Sequence, residues 1–297
     1  MSQALFRVRT PDGTLRLARG DAAEGPTALL ASGVTLDDLL ATAADLASAV
    51  QVAGDPVPPG TTVVAPVETQ EVWAAGVTYE RSREARVEEA IAADPYDRVY
   101  VADRPELFFK SPGWRVRGPG EPIGIRADSA WNVPEPELAL VVASDLSIVG
   151  YTIGNDVSSR SIEGENTLYL PQAKLYDGST VLGPCVVPAS SVAPPFDIRL
   201  EIVRGDRTVF TGATSTSSIR RPFDELARYL GAALTLPVGA IVLTGTGIVP
   251  DADVTLEAGD AVTISIGPLG TLRNVVEVVG RDPARAPARV ASDERPA

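Results

Sequence analysis

The chain has 297 residues, 26 Lys and Arg against 39 Asp and Glu, and a formal net charge of −13. A surface this acidic repels phosphate backbones and anionic lipid, which argues against nucleic-acid and membrane partners, and no apolar run approaches the roughly 20 residues of a bilayer-spanning helix. There is no histidine and only one cysteine, Cys185, so a Ser-His-Asp triad, a Cys-His pair and a histidine zinc site are all excluded.

In chain order, residues 1–66 read as a small N-terminal domain. ALFRVRTPDGTLRLARG predicts two strands around a Pro-Asp-Gly turn. Thr35 is placed to cap a helix in which Leu36, Leu39, Leu40, Ala43, Leu46, Ala47 and Val50 recur at helical spacing. The proline-rich stretch DPVPPGTTVVAPV then reads as a connector. The opening MSQALFRVRTPDG lacks the long apolar segment of a secretory signal, and with a single cysteine it points to a cytoplasmic setting.

Residues 67–282 read as one catalytic domain. VWAAGV (72–77) is a short apolar run. The highly charged stretch 78–105 follows, with helix-forming residues up to about residue 93; its sparse apolar positions fit either a solvated surface helix or a flap over a site. Short β-rich runs then alternate with Gly/Pro turns: ELFFK, GEPIGIR, ELALVVA, SIVGYTIGNDV, VLGPCVVP, FDIRLEIVRGDRTVFTG, AIVLTGTG, AVTISIG and TLRNVVEVV. One stretch among them, PFDELARYLGAAL (222–234), has a convincing helical face. Many strands with few helices predict an α+β, β-rich fold, not a doubly wound parallel sheet. The Pro/Arg/Asp-rich tail 283–297 is expected to be disordered.

Without histidine, proton transfer near neutral pH falls to carboxylates, lysine, tyrosine or a metal-bound water, and a metal would need mostly oxygen ligands, which favours Mg²⁺ or Mn²⁺ over zinc. Glu135 and Glu137, in PEPELALVVA, lie two apart and would share one face of a strand. Asp156 closes the apolar run VGYTIGND, where an acid is out of place unless it faces a cation or a turn. Lys174, one of two lysines with Lys110, lies in an apolar and glycine-rich setting that suits a functional amine. Glu106 and Lys110 would share a strand face with Phe108, either as a buried ion pair or as the wall of a site. The Gly-Thr loop LTGTGIVP could offer backbone N–H groups and hydroxyls to an anion, but its spacing is not that of a dinucleotide fingerprint.

Together these segments resemble the fumarylacetoacetate hydrolase superfamily over about residues 70–280. The likeness rests on the order and spacing of Glu135-x-Glu137, the Asp156 of GYTIGNDVSSR, the Lys174 of LPQAK and the TGTG loop from Thr244 to Gly247. It implies a mixed β-roll behind a small N-terminal α+β domain, a homodimer or homotetramer, Mg²⁺ (or Mn²⁺) on Glu135, Glu137 and Asp156, and Lys174 beside the metal. Hydrolytic members carry a histidine in a G-x-N-Y-x-x-H segment; here Gly76-Val77-Thr78-Tyr79-Glu80-Arg81-Ser82 has Thr78 for the Asn and Ser82 for the His. The segments GVTYERSREAR, RPELFFK, WNVPEPELALVV and SIEGENTLYLPQAKLYDG instead resemble the histidine-free sugar-acid dehydratase branch, which implies an acid/base role for Glu106.

The resulting expectation is metal-dependent dehydration of a 2-keto-3-deoxy pentonate to 2,5-dioxopentanoate through a metal-stabilised enolate. Lys174 and Glu106 divide the proton transfers, in an order the sequence leaves open, and Thr244, Thr246, Lys110 and Tyr79 contact the substrate. Alternatives are a Schiff base on Lys174, hydrolytic C–C cleavage of an acylpyruvate or diketo sugar acid, decarboxylation of a 2-oxo acid, and a non-catalytic metal-binding scaffold.

Overall fold

The computed structural model describes residues 2–81 and 94–281. The central part of the charged stretch, with Ser82, and the tail 283–297 lie outside the described residues. The hairpin at the start forms around its expected turn: β1 (Gln3–Arg9) and β2 (Leu15–Asp21) pair antiparallel. The Asp12 carboxylate closes the turn by accepting from the Thr14 N–H at 3.0 Å and the Thr10 hydroxyl at 2.6 Å. β3 (Gly25–Leu29) extends the sheet beyond β2. The single helix expected from Thr35 to Val50 is instead two short ones, Leu36–Ala41 and Leu46–Ala49. Thr35 does cap the first. The break comes at Ala43, which takes a left-handed φ of 48°, and at Asp45, whose carboxylate caps the second helix by accepting from the Ala47 N–H. An Asp inside a helical repeat competes for backbone N–H groups and starts a new helix more readily than it continues an old one. The proline-rich connector contributes a short strand, β4 (Thr62–Val64), on β1.

The remainder comprises β5 (Glu71–Gly76), β6 (Glu106–Pro112), β7 (Ile123–Arg126), β8 (Asn132–Val133), β9 (Pro136–Val142), β10 (Ile148–Asp156), β11 (Ser158–Ser159), β12 (Thr180–Pro188), β13 (Asp197–Arg204), β14 (Arg207–Ser215), β15 (Ala240–Leu243), β16 (Ala261–Ile266) and β17 (Gly270–Val279). The large sheet runs β3-β2-β1-β12-β10-β9-β15-β5-β6, and the second runs β14-β13-β16-β17-β7. Pairing is antiparallel except for β5 with β15 and β7 with β17. The fold is therefore the expected strand-rich, mixed α+β architecture. The expected helix appears as Phe223–Gly231, with Leu226, Ala227 and Leu230 buried.

Strand β9 is buried at every residue, because β10 and β15 flank it and the second sheet covers one face. That explains why LALVV, residues 138–142, is continuously apolar and does not alternate. Leu140 at its centre is fully buried and pairs with Tyr151 and Val242. Leu140→Ala is expected to destabilise the protein by about 3 kcal/mol through lost burial and the cavity left behind, read as a lower urea midpoint with unchanged slope.

Candidate metal centre and active site

The β9–β10 register builds the centre of the site. Glu137 lies opposite Gly154, and the Asp156 N–H donates to the Glu135 carbonyl at 3.0 Å, so Asp156 stands across from Glu135. The three side chains point to one face. Each offers a carboxylate oxygen within 4.8 Å of the other two, and all three residues are buried. Glu137 also accepts the Gly245 N–H at 2.6 Å, through a turn in which Gly245 has a left-handed φ of 86°.

Three like charges in a dry site repel each other, and burial together with the Asp156 and Glu135 charges holds the Glu137 carboxyl well above its ordinary range. Cations gather in response. The Lys174 ammonium, at the end of the helix Leu170–Lys174, donates to Glu135 at 2.8 Å, to Asp156 at 3.2 Å and to the Ser158 hydroxyl at 2.6 Å. Arg160, opening the helix Arg160–Glu165, reaches the other Glu135 oxygen at 3.1 Å and lies 3.9 Å from Glu163. Lys110 meets Asp156 at 2.7 Å and donates to the Lys174 carbonyl; its burial lowers its pKa, and the Asp156 charge opposes that effect.

A cleft opens over this cluster. Its wall includes Glu106, Phe108, Arg160, Glu163, Lys174 and Thr246. Glu106 lies across the ladder from Gly76, where a side-chain carbon would fall 2.1 Å from the Glu106 carboxylate; glycine leaves the room that the acid uses. Phe108 places its ring 5.9 Å from the Lys174 ammonium.

Of the nine residues singled out from sequence, Glu135, Glu137, Asp156, Lys174, Glu106 and Thr246 line the cleft. The other three are placed differently. Lys110 is fully buried and lies against Asp156, behind the cleft surface, as a counter-ion. Thr244 turns its hydroxyl to the Leu138 carbonyl at 2.9 Å, and the Thr78 hydroxyl donates to the Thr244 carbonyl at 2.6 Å. Tyr79 is 1% exposed, and burial beside Glu137 raises its phenol pKa. The sequence reading missed Arg160 and Glu163. Their one available signal is the Arg-x-x-Glu spacing directly after Asp156, in a helix too short to show a periodic face.

Oxygen-only and buried, the triad has the donor chemistry of a hard divalent cation such as Mg²⁺. Lys110, Arg160 and Lys174 each approach a carboxylate of the triad.

Residues 71–277 match the family model described as fumarylacetoacetate (FAA) hydrolase C-terminal, and the chain belongs to that family. It is similar to a probable 2-keto-3-deoxyxylonate dehydratase of Haloferax volcanii, 50% identical over 216 residues that make up 72% of this chain and 74% of the relative. It is also similar to the 2-dehydro-3-deoxy-D-arabinonate dehydratase of Saccharolobus solfataricus, 44% identical over 71% of this chain and 72% of the relative. A solved structure of 2-keto-3-deoxy-D-arabinonate dehydratase complexed with magnesium and 2,5-dioxopentanoate superimposes with a TM-score of 0.81 at 34% identity, covering 94% of this chain and all of that one.

Because the folded pKa of Glu137 lies above the unfolded value, metal-free protein binds more protons folded than unfolded, and its stability falls as pH rises from the ordinary 4.5 through the raised value. In chelator, melting temperature is expected to fall with rising pH for the wild type and to fall less for Glu137→Gln. Saturating Mg²⁺, about 2.7 kcal/mol of stabilisation at 100-fold over Kd, is expected to raise the wild-type melting temperature and to have little effect on the variant.

Proposed function

We propose that this protein dehydrates a 2-keto-3-deoxy pentonate to 2,5-dioxopentanoate, with Mg²⁺ held by Glu135, Glu137 and Asp156. The observation that carries this reading is the convergence of three buried carboxylates from two neighbouring strands beside Lys174 and within one cleft with Glu106. The dehydratase names of relatives at 50% and 44% identity and the magnesium and 2,5-dioxopentanoate in the neighbouring structure support it.

When bound, the metal supplies a Lewis acid to the carboxylate and C2 carbonyl of a 2-oxo acid. The chain's own groups follow from their places. Lys174 touches two of the three carboxylates; once it has passed a proton to one of them, its neutral amine would take the C3 proton of a 2-oxo acid held at the triad. Glu106 stands on a different strand of the same cleft, against Gly76, where it delivers a proton to the departing C4 hydroxyl. Phe108 and Leu170 line the cleft and exclude water from the enolate step. A cytoplasmic homodimer or homotetramer belongs to the same reading and rests on the family resemblance.

An imine on Lys174 is the weaker alternative, because that route leaves the buried three-carboxylate cluster beside the amine without a part in the reaction. Purified protein with 2-keto-3-deoxy pentonate and Mg²⁺ is expected to yield 2,5-dioxopentanoate, detected as the aldehyde. EDTA should abolish turnover, added Mg²⁺ should restore it, and borohydride with substrate should leave no adduct on Lys174. Turnover that survives chelation would overturn the metal reading.

A further inference from the structure

The proposed reaction needs one more proton acceptor than the groups already placed. Loss of the C3 proton and of the C4 hydroxyl leaves the conjugated 5-hydroxy-2-oxopent-3-enoate. To become the aldehyde, this compound must lose a C5 proton, giving a dienolate conjugated through to the C2 oxygen. C3 then regains a proton, leaving a C4–C5 enol; that enol loses its hydroxyl proton and C4 gains one. No atoms beyond the released water enter or leave. The C5 C–H is activated only through the conjugated system, so a base must stand at the far end of the bound chain.

The cleft holds one more buried carboxylate. Glu163 lines the same cleft as the triad, is 4% exposed, and contributes nothing to the three-carboxylate cluster. One guanidinium bridges it toward that cluster: Arg160 contacts Glu135 at 3.1 Å with one terminal nitrogen and lies 3.9 Å from Glu163 with the other. Glu163 is therefore held within one arginine head group's reach of Glu135 on the wall of the same cleft, where a five-carbon chain anchored at the triad would meet it. The i, i+3 spacing on the helix Arg160–Glu165 keeps the two side chains on one face. Glu106 and Lys174, the other proton-moving groups, are committed to C4 and C3.

Resting on the dehydratase reading, we propose that Glu163 is a further catalytic residue, whose carboxylate takes the C5 proton in the second half of the reaction. The test follows both halves in Glu163→Gln. The near-ultraviolet absorbance of the conjugated enoate is expected to build up, while aldehyde formation falls at least about 100-fold, as for loss of a general base. Calorimetric Mg²⁺ binding and melting temperature should stay as in the wild type. In Glu106→Gln, by contrast, neither enoate nor aldehyde should form. If Glu163→Gln does not fold, Glu163→Asp keeps the charge but draws it back by one methylene, and should slow aldehyde formation more than elimination. Aldehyde formation within threefold of wild type, or elimination and aldehyde formation falling by one common factor, would overturn the proposal. A wild-type protein that leaves 2-keto-3-deoxy pentonate untouched would instead remove the dehydratase reading itself, and this inference with it.

Discussion

Three carboxylates sharing a dry cleft is the constraint around which the rest of this molecule is organised. The β9–β10 ladder imposes it: once Glu137 faces Gly154 and the Asp156 N–H meets the Glu135 carbonyl, the side chains have nowhere to go but toward each other. In a medium of low polarity such a cluster is tolerable only if positive charge is brought to it. Three separate elements do so: β6 with Lys110, the helix beginning at Arg160, and the helix ending at Lys174. The short helices between β11 and β12 thus have their main physical reason in this electrostatic demand and not in apolar packing.

The cleft also stores backbone strain. Val77, a β-branched residue in its wall, has a φ of 51°, a conformation that costs such a residue roughly 1–3 kcal/mol. Its surroundings over-determine it. Gly76 before it is pinned against Glu106, and Thr78 after it donates to the Thr244 carbonyl and accepts from the Arg220 N–H at 3.0 Å. The chain is therefore turned sharply where it passes the acid, and the same hydrogen bonds tie that turn to the loop whose Gly245 N–H holds Glu137.

Much of this was legible in the residues, for identifiable reasons. Acids inside apolar runs are costly enough that Glu137 and Asp156 stood out, and period-two spacing put Glu135 beside Glu137. The order of these residues with Lys174 gave the family likeness, and with it the fold and the metal. Other features were hidden because they depend on long-range placement. Nothing local distinguishes Thr246, which reaches the cleft, from Thr244, which hydrogen-bonds to β9. Lys110 and Lys174 are both scarce lysines in apolar settings, and only the tertiary structure puts one behind the carboxylates and the other among them. The helix Arg160–Glu165 contains Gly164 and spans fewer than two turns, so its pattern falls below what periodicity can show. The break at Asp45 was visible as a residue type but was outweighed by the leucine repeat on either side of it.

The contact between β1 and β12, with Leu5 opposite Val186, makes the N-terminal strands a continuation of the sheet that carries β9 and β10. A strand on the other side of β10 from β9 thus has its outer rim covered by residues from the beginning of the polypeptide. Lacking that cover, β12 would present a row of bare N–H and C=O groups, the kind of rim that recruits other chains. Strands β1 and β12 thus close one edge between them, so a change at Leu5 or Val186 is felt on both sides of that seam.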